Sequence, residues 1–585
     1  MKTKLPLFCG LIAVVSVLIL TACLSLTGGT RAHTHQWSEW TQASGDDATE
    51  ERVCKIDSTH IQTRLTGTDR FHFWEIGETA YGISYSALTT SEVIIPAYYR
   101  PDVGSEYLPV TEIGSMYNVS SDVGRFFSPN ITISEGVTSI GAYAFSHCDN
   151  LTSITIPSSV TFIGIYAFSR CDNLTNITIP PSVTFIGEEA FSYCYRLTGI
   201  TVEAGNPNYA SEGGILYDKV KTTLIQAPQG KSGHVSLPAS VTTIDDMAFY
   251  NCGNLTSLTF PTRLTSIGRF AFWGCTGLTS ITFHTGLTSI GESAFSECAS
   301  LASITIPESV TSIGWDAFGN TTWGNGQTTA WLNNQPDGLV YAGKVLYTYK
   351  GTWSADIVIN NIRADTIAIA DAAFTGRDIT SITIPAGVRY IGNNAFSNCY
   401  SLTSITIPAS VTSIGYEAFS NCKNFTSIII PETLTTIGNG AFAECEKLTN
   451  IIVDANNPNY TSEDGMLFNK TKTEILAYPS ARGNITIPAS VTSIRAAAFF
   501  KCTNLTSITI PASVTSVGVV AFYRCTSLTN ITIPSSVMSV GIAAFGSWND
   551  SQTINIPFAN REAVEVAWGS DWRDECNAQI NYLGH

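Results

Sequence analysis

Eleven of the 15 cysteines fall at one fixed place in a recurring pattern: Cys148, Cys171, Cys194, Cys252, Cys275, Cys298, Cys399, Cys422, Cys445, Cys502 and Cys525. A thiol can attack as a nucleophile, close a disulfide or ligate zinc. Stacked one per repeat about 5 Å apart, these thiols fall within disulfide Cα range. Their side chains would lie parallel rather than opposed, and the first three runs come in threes, so complete pairing is impossible. No Cys-x-x-Cys spacing or histidine partner recurs, which leaves zinc without a ligand set. The pattern reads as a column of small buried thiols.

The remaining chemistry is sparse. His33, His35, Cys54 and His60 lie near one another in sequence, but in weak metal spacing that suits a solvated linker equally well. His72, His147, His234, His284 and His585 recur with no serine or cysteine partner, so a nucleophile–base pair has no candidate. Asp245 and Asp246 are adjacent carboxylates beside Ile244 and are expected to face water. There is no P-loop and no Gly-x-Gly-x-x-Gly fingerprint after a strand. The expectation is no enzyme and no cofactor. The net charge of −16 disfavours nucleic acid and anionic lipid headgroups as partners, because both need a basic surface.

The cysteines belong to a repeat. Ala-Phe pairs end at Phe145, Phe168, Phe191, Phe249, Phe272, Phe295, Phe318, Phe374, Phe396, Phe419, Phe442, Phe499, Phe522 and Phe545, spaced by 22 or 23 residues with three gaps of 56 to 58. The unit is LTSITIPxSVTSIGxxAFxxCxN. In one copy Ile154 and Ile156 face inward on a short strand, while Ser153 and Thr155 face outward. Pro157 ends the strand. Val160 and Ile163 turn inward again, Gly164 permits a turn, and Ala167 and Phe168 fill the interior before a 3-10-like turn. One unit buries little alone, and stacking in register covers each apolar face with the next. About 18 coils at ~4.8 Å per strand make an array roughly 85 Å long.

This motif resembles the BspA-type leucine-rich repeats, a 23-residue bacterial class found on surface antigens and adhesins. The resemblance covers about Ile131–Pro557. It implies a solenoid, a leucine-rich-repeat superhelix with a parallel β-sheet on one face, short strands and 3-10 turns on the other, and few helices. Departures are local: Gly319 and Asn320 follow Phe318 and no cysteine comes after it, and His284 replaces the strand-ending proline.

The three long gaps are expected to hold inserted β-hairpins, near 203–232, 320–356 and 454–483. GNPNY at Gly205–Tyr209 and NNPNY at Asn456–Tyr460 precede two of them, with hairpin turns expected near Lys219 and Lys470. The ends differ from the repeat. Met1–Lys4 is basic, Leu5–Leu20 is apolar, and Leu20-Thr21-Ala22-Cys23 resembles a bacterial lipoprotein lipobox. That resemblance implies a signal peptide over 1–22, a lipid on Cys23 and a place in the cell envelope, anchored to outer membrane or cell surface. A tether with a small His/Trp-containing module is expected over 23–66, and an N-terminal cap with a degenerate repeat over 67–130. The solenoid is expected over 131–557 and a C-terminal cap over 558–585.

Two surfaces could bind. The outward file represented by Ser153, Thr155, Ser404, Thr406, Ser507 and Thr509 could dock a protein or glycan across many coils, although Ser and Thr also simply suit an exposed strand face. Trp323, Trp331, Tyr349 and Trp353 in the middle gap could anchor an interface, although a hairpin also needs aromatics for its own packing. The resemblance implies an adhesin or binding scaffold for host extracellular-matrix or mucosal proteins and glycans, or for other bacterial cells. A spacer is the alternative, with an ordered-lattice binder behind it.

Overall fold

The structure is a computed structural model that describes residues 129–319, 329–351 and 357–584 throughout, and upstream of these only strand segments between 41 and 114. The chain divides into two compact units, Met1–Asp69 and Arg70–His585. In the first, Thr41–Gln42, Thr49–Val53 and Ile61–Leu65 form an antiparallel sheet. Cys23 and the side chains of His33, His35, Cys54 and His60 lie outside the described residues.

The second unit is a solenoid whose coils have three sides. On the first, the Ile-Thr-Ile strand alternates as its pattern predicts: in Ser153–Thr155 the middle isoleucine is buried and its neighbours are exposed. It pairs parallel and in register with Asn130–Ile133 of the preceding coil. The second side is a two-residue strand from the SVTSIG segment. Ser139–Ile140, Phe162–Ile163 and Phe185–Ile186 pair in parallel, each Ile beside the next. These short strands make the longer ladders, of six or seven strands including the insertions, while the Ile-Thr-Ile strands pair in twos and threes. Parallel pairing thus lines two sides of the solenoid.

The third side is the Ala-Phe turn, which is hydrogen-bonded as fully as the strands. Tyr166, Phe168 and Arg170 donate their backbone N–H groups to Glu188, Ala190 and Ser192 of the next coil, at 3.2, 2.8 and 2.9 Å. Tyr166 and Arg170 have φ of 53° and 60°, and the same two places are left-handed in coil after coil. A non-glycine residue pays roughly 1–2 kcal/mol for that conformation, and the inter-coil bonds offset it. Gly164 plays a different part from the expected turn. Its φ is not in the left-handed region, but a Cβ there would lie 2.5 Å from the Ala142 nitrogen. Glycine is required because the preceding coil's backbone passes too close for any side chain.

Inside, Val160, Ile163, Ala167, Phe168, Cys171 and Leu174 are fully buried. The phenyl rings stack from coil to coil, with centroids 5.3 Å apart for Phe145–Phe168 and 5.7 Å for Phe168–Phe191. Burying such side chains stabilises by about 1.5–3 kcal/mol each.

Each long gap holds one coil interrupted by an insertion. In the first, Ile215–Asp218 and Thr223–Gln226 form the expected hairpin, with its turn at Lys219–Thr222, and Tyr209–Glu212 adds a third antiparallel strand. Thr223–Leu224 then joins the short-strand ladder in parallel with Thr243–Ile244. The third gap repeats this with Tyr460–Glu463, Met466–Asn469 and Glu474–Ala477. The middle gap has a short helix, Ala330–Asn333, and a hairpin of Gly338–Ala342 with Val345–Lys350. The coil after each insertion departs from the glycine rule, carrying Asp245, Ala370 or Arg495 in its place.

At the C-terminal end, Arg561–Trp568 forms a helix whose N-cap Asn560 accepts from the Ala563 N–H at 3.0 Å. Trp568 and Trp572 are buried against Phe558 and Phe545, closing the apolar end of the stack. Gln579–Tyr582 adds the last parallel strand.

Candidate binding faces

The thiol column is structural. Cys171 donates to the Phe145 carbonyl at 3.2 Å, Cys298 to Phe272 at 3.0 Å and Cys422 to Phe396 at 3.1 Å, each across to the preceding coil. Burial pushes Cys252, Cys399, Cys445 and Cys502 up to about 12. A neutral, enclosed thiol is a poor nucleophile. Among the described residues no group of three or more His, Cys, Asp and Glu could hold a metal ion, and no helix is long and apolar enough to cross a membrane.

Asp245 and Asp246 are exposed, and Asp246 pairs with Arg269 at 3.0 Å. Such a solvated pair contributes little.

The hydroxyl file resolves into two populations. Many threonines are committed to the fold. Thr161 Oγ1 donates to the Thr138 carbonyl at 3.2 Å and Thr288 Oγ1 to the Thr265 carbonyl at 2.9 Å, each one coil back. On the Ile-Thr-Ile side Thr152 does the same to Pro129 at 2.7 Å, while Ser153 donates to Asn130 Oδ1 at 2.7 Å. Three outward threonines of Ile-Thr-Ile are different, whereas Thr532 accepts from Asn555 Nδ2 at 3.2 Å. Thr155, Thr406 and Thr509 are exposed, as are Ser153, Ser404 and Ser507, and among the described residues these three threonine hydroxyls have no hydrogen-bond partner. Ser404 and Thr406 lie in a coil without an assigned strand. The row has apolar interruptions: Ile429 and Ile452, register partners on adjacent coils, are 60% and 48% exposed. Such breaks spoil the uniform spacing that an ordered lattice demands.

In the aromatic insert, Trp331 and Tyr349 fall among the described residues. Trp331 is only 9% exposed, with its ring centroid 5.0 Å from Phe318, so it packs the core instead of anchoring a partner. Tyr349 is half-buried against the next block's core. Trp323 and Trp353 lie outside the described residues.

Other key residues escaped the sequence reading. Asn206, fully buried, donates to the Pro180 and Val183 carbonyls at 3.0 and 2.9 Å and accepts from the Asn208 and Tyr209 N–H groups. The Tyr209 hydroxyl accepts the Ile186 N–H at 2.9 Å, where the short-strand ladder ends. Asn457 and Tyr460 repeat the arrangement. The duplicated N-P-N-Y was the available signal.

The model of the BspA type leucine rich repeat region matches residues 127–212, 229–329, 367–482 and 476–566 in 6 copies, about two thirds of the chain. The chain belongs to this family. Among solved structures, a leucine-rich repeat protein from Bacteroides ovatus is 21% identical, with a TM-score of 0.29 over 84% of this chain and 99% of that one. A leucine rich cell surface protein from Faecalibacterium prausnitzii is 18% identical, with a TM-score of 0.21 over 89% and 96%. The pneumococcal vaccine antigen PcpA is 15% identical, with a TM-score of 0.31 over 78% and 97%. None of the curated proteins compared matches the chain.

Proposed function

We propose that this BspA-type protein is a cell-surface binding scaffold, an adhesin that engages host extracellular-matrix or mucosal proteins and glycans, or other bacterial cells. It does so through the Ile-Thr-Ile side of the solenoid, and a lipid on Cys23 holds it to the envelope. The carrying observation is the contrast between hydroxyls: Thr152 and Thr161 are used between coils, while Thr155, Thr406 and Thr509 are exposed and unused. A rigid row of donors and acceptors at ~4.8 Å intervals binds by many weak contacts, with little ordering cost on the protein's side. The test immobilises the mature chain with Cys23 replaced and measures binding to fibronectin, mucin and intact bacteria. Binding lost on combining Thr155→Lys, Thr406→Lys and Thr509→Lys supports the scaffold. No binding to any of these surfaces leaves the spacer reading instead. Mass spectrometry of the membrane-derived protein tests the anchor, with a lipid-modified Cys23 expected and an unmodified one contrary.

A further inference from the structure

The third insertion opens a groove of about 800 Å³ on the short-strand side of the solenoid, away from the hydroxyl row. Its origin is the break that the insertion makes in the short-strand ladder after Ile437. Elsewhere the isoleucine carbonyl of one coil accepts the glycine N–H of the next, as Ile414 accepts from Gly438 at 2.9 Å. The insertion removes that partner from Ile437, and Arg495, standing in the glycine position, reaches across to donate Nη1 to the Ile437 carbonyl at 3.2 Å. Its Nε and Nη2 form a two-pronged pair with Glu474, both bonds at 3.2 Å. This planar pair is fixed in the groove and keeps about a quarter of each side chain exposed, at 25% and 28%.

We propose that this groove is a binding site for an uncharged oligosaccharide. Its lining carries what a sugar needs. Tyr416, 42% exposed, offers an aromatic ring for the C–H face of a pyranose. Asn439 and the Arg495–Glu474 pair offer donors and acceptors in fixed planes for neighbouring hydroxyls. Ser516 and Ser539, register partners on successive coils, extend a row of hydroxyls along the groove. Charge decides the class of ligand. Glu474 neutralises Arg495, and the chain carries a net charge of −16, so a sialylated or sulfated glycan meets repulsion without a free cation in the groove lining. A neutral glycan loses nothing. The site is independent of the hydroxyl row, which faces another side.

The test applies the full chain, with Cys23 replaced, to immobilised neutral oligosaccharides of glucose, N-acetylglucosamine, mannose and galactose beside their sialylated and sulfated counterparts. The best neutral ligand is then titrated by calorimetry. The expected result is binding to a neutral oligosaccharide that weakens at least tenfold in Tyr416→Ala and in Asn439→Ala, with thermal unfolding unchanged. Thr155→Lys, on the other side, leaves it intact. The proposal is overturned by any of three results: no neutral binding at millimolar ligand, preference for the acidic glycans, or neutral binding that survives both groove variants or is lost in Thr155→Lys.

Discussion

Trp548 donates its indole N–H to the Phe522 carbonyl across 2.8 Å, in the place where Cys525 donates its thiol to the Phe499 carbonyl at 3.1 Å. Two unlike side chains serve the equivalent carbonyl of successive coils, so the position selects for a buried donor, a small one within the stack and a larger one in the last coil. Cys422→Ala should therefore cost about 1–3 kcal/mol, from the orphaned Phe396 carbonyl and the small cavity. Cys422→Ser, which keeps a donor, should cost less. Urea denaturation of the two variants checks the order, and equal losses would point to packing alone.

The same thiols make stability depend on alkaline pH. Burial holds Cys252, Cys399, Cys445 and Cys502 up at about 12, against roughly 8.5 in an unfolded chain. Below about pH 8 both states keep the proton and these groups add no slope. As the pH rises towards 12, only the unfolded state sheds protons, so stability falls by up to about 1.4 kcal/mol per pH unit per thiol. The urea midpoint should drop between about pH 8 and pH 10.5, and Cys399→Ser should flatten that drop. A midpoint that rises with pH would reverse the assignment.

Two glycines separate close approach from backbone freedom. A Cβ at Gly164 would sit 2.5 Å from the Ala142 nitrogen, whereas Gly376, with φ of +71°, has nothing within 4 Å. Gly164→Ala should lose more than about 2 kcal/mol through overpacking against backbone that cannot yield. Gly376→Ala should lose only about 1 kcal/mol, the cost of a left-handed alanine. Thermal melts of both variants decide it, and a milder effect at Gly164 would refute the stacking argument.

Asn206 is the bolt of the first insertion. Replacing it with alanine strips donors from two carbonyls and an acceptor from two N–H groups, at a cost of about 2–4 kcal/mol. Hydrogen exchange should show the loss concentrated in Tyr209–Gln226, with distant coils unaffected, because neighbouring repeats couple only locally. Uniform loss along the solenoid would contradict this.

The repeat was legible because its apolar residues alternate with the period of a strand: Ile154 and Ile156 inward, Thr155 outward. The Phe ladder followed from simple counting. What sequence could not separate was the reason for a residue type. Gly164 looks like a turn glycine, yet close packing by Ala142, 22 residues away, demands it. Trp331 looks like an anchor until Phe318 and Tyr347 are seen around it. Likewise Thr161 and Thr155 are the same residue a few positions apart, and only inter-coil hydrogen bonding reveals that one is used and the other is not. Arg495 breaks the repeat visibly, but its partners are Ile437, before the insertion, and Glu474, within it.

Binding by avidity along the Ile-Thr-Ile side is read out in dissociation rates. The mature chain would be measured on fibronectin, mucin and intact bacteria with Thr→Lys at one coil, then two, then three, at Thr155, Thr406 and Thr509. One substitution should have a small effect, and each further coil should compound the acceleration, reaching at least tenfold with three. A single substitution that abolishes binding, or a triple variant that dissociates like the wild type, would contradict it.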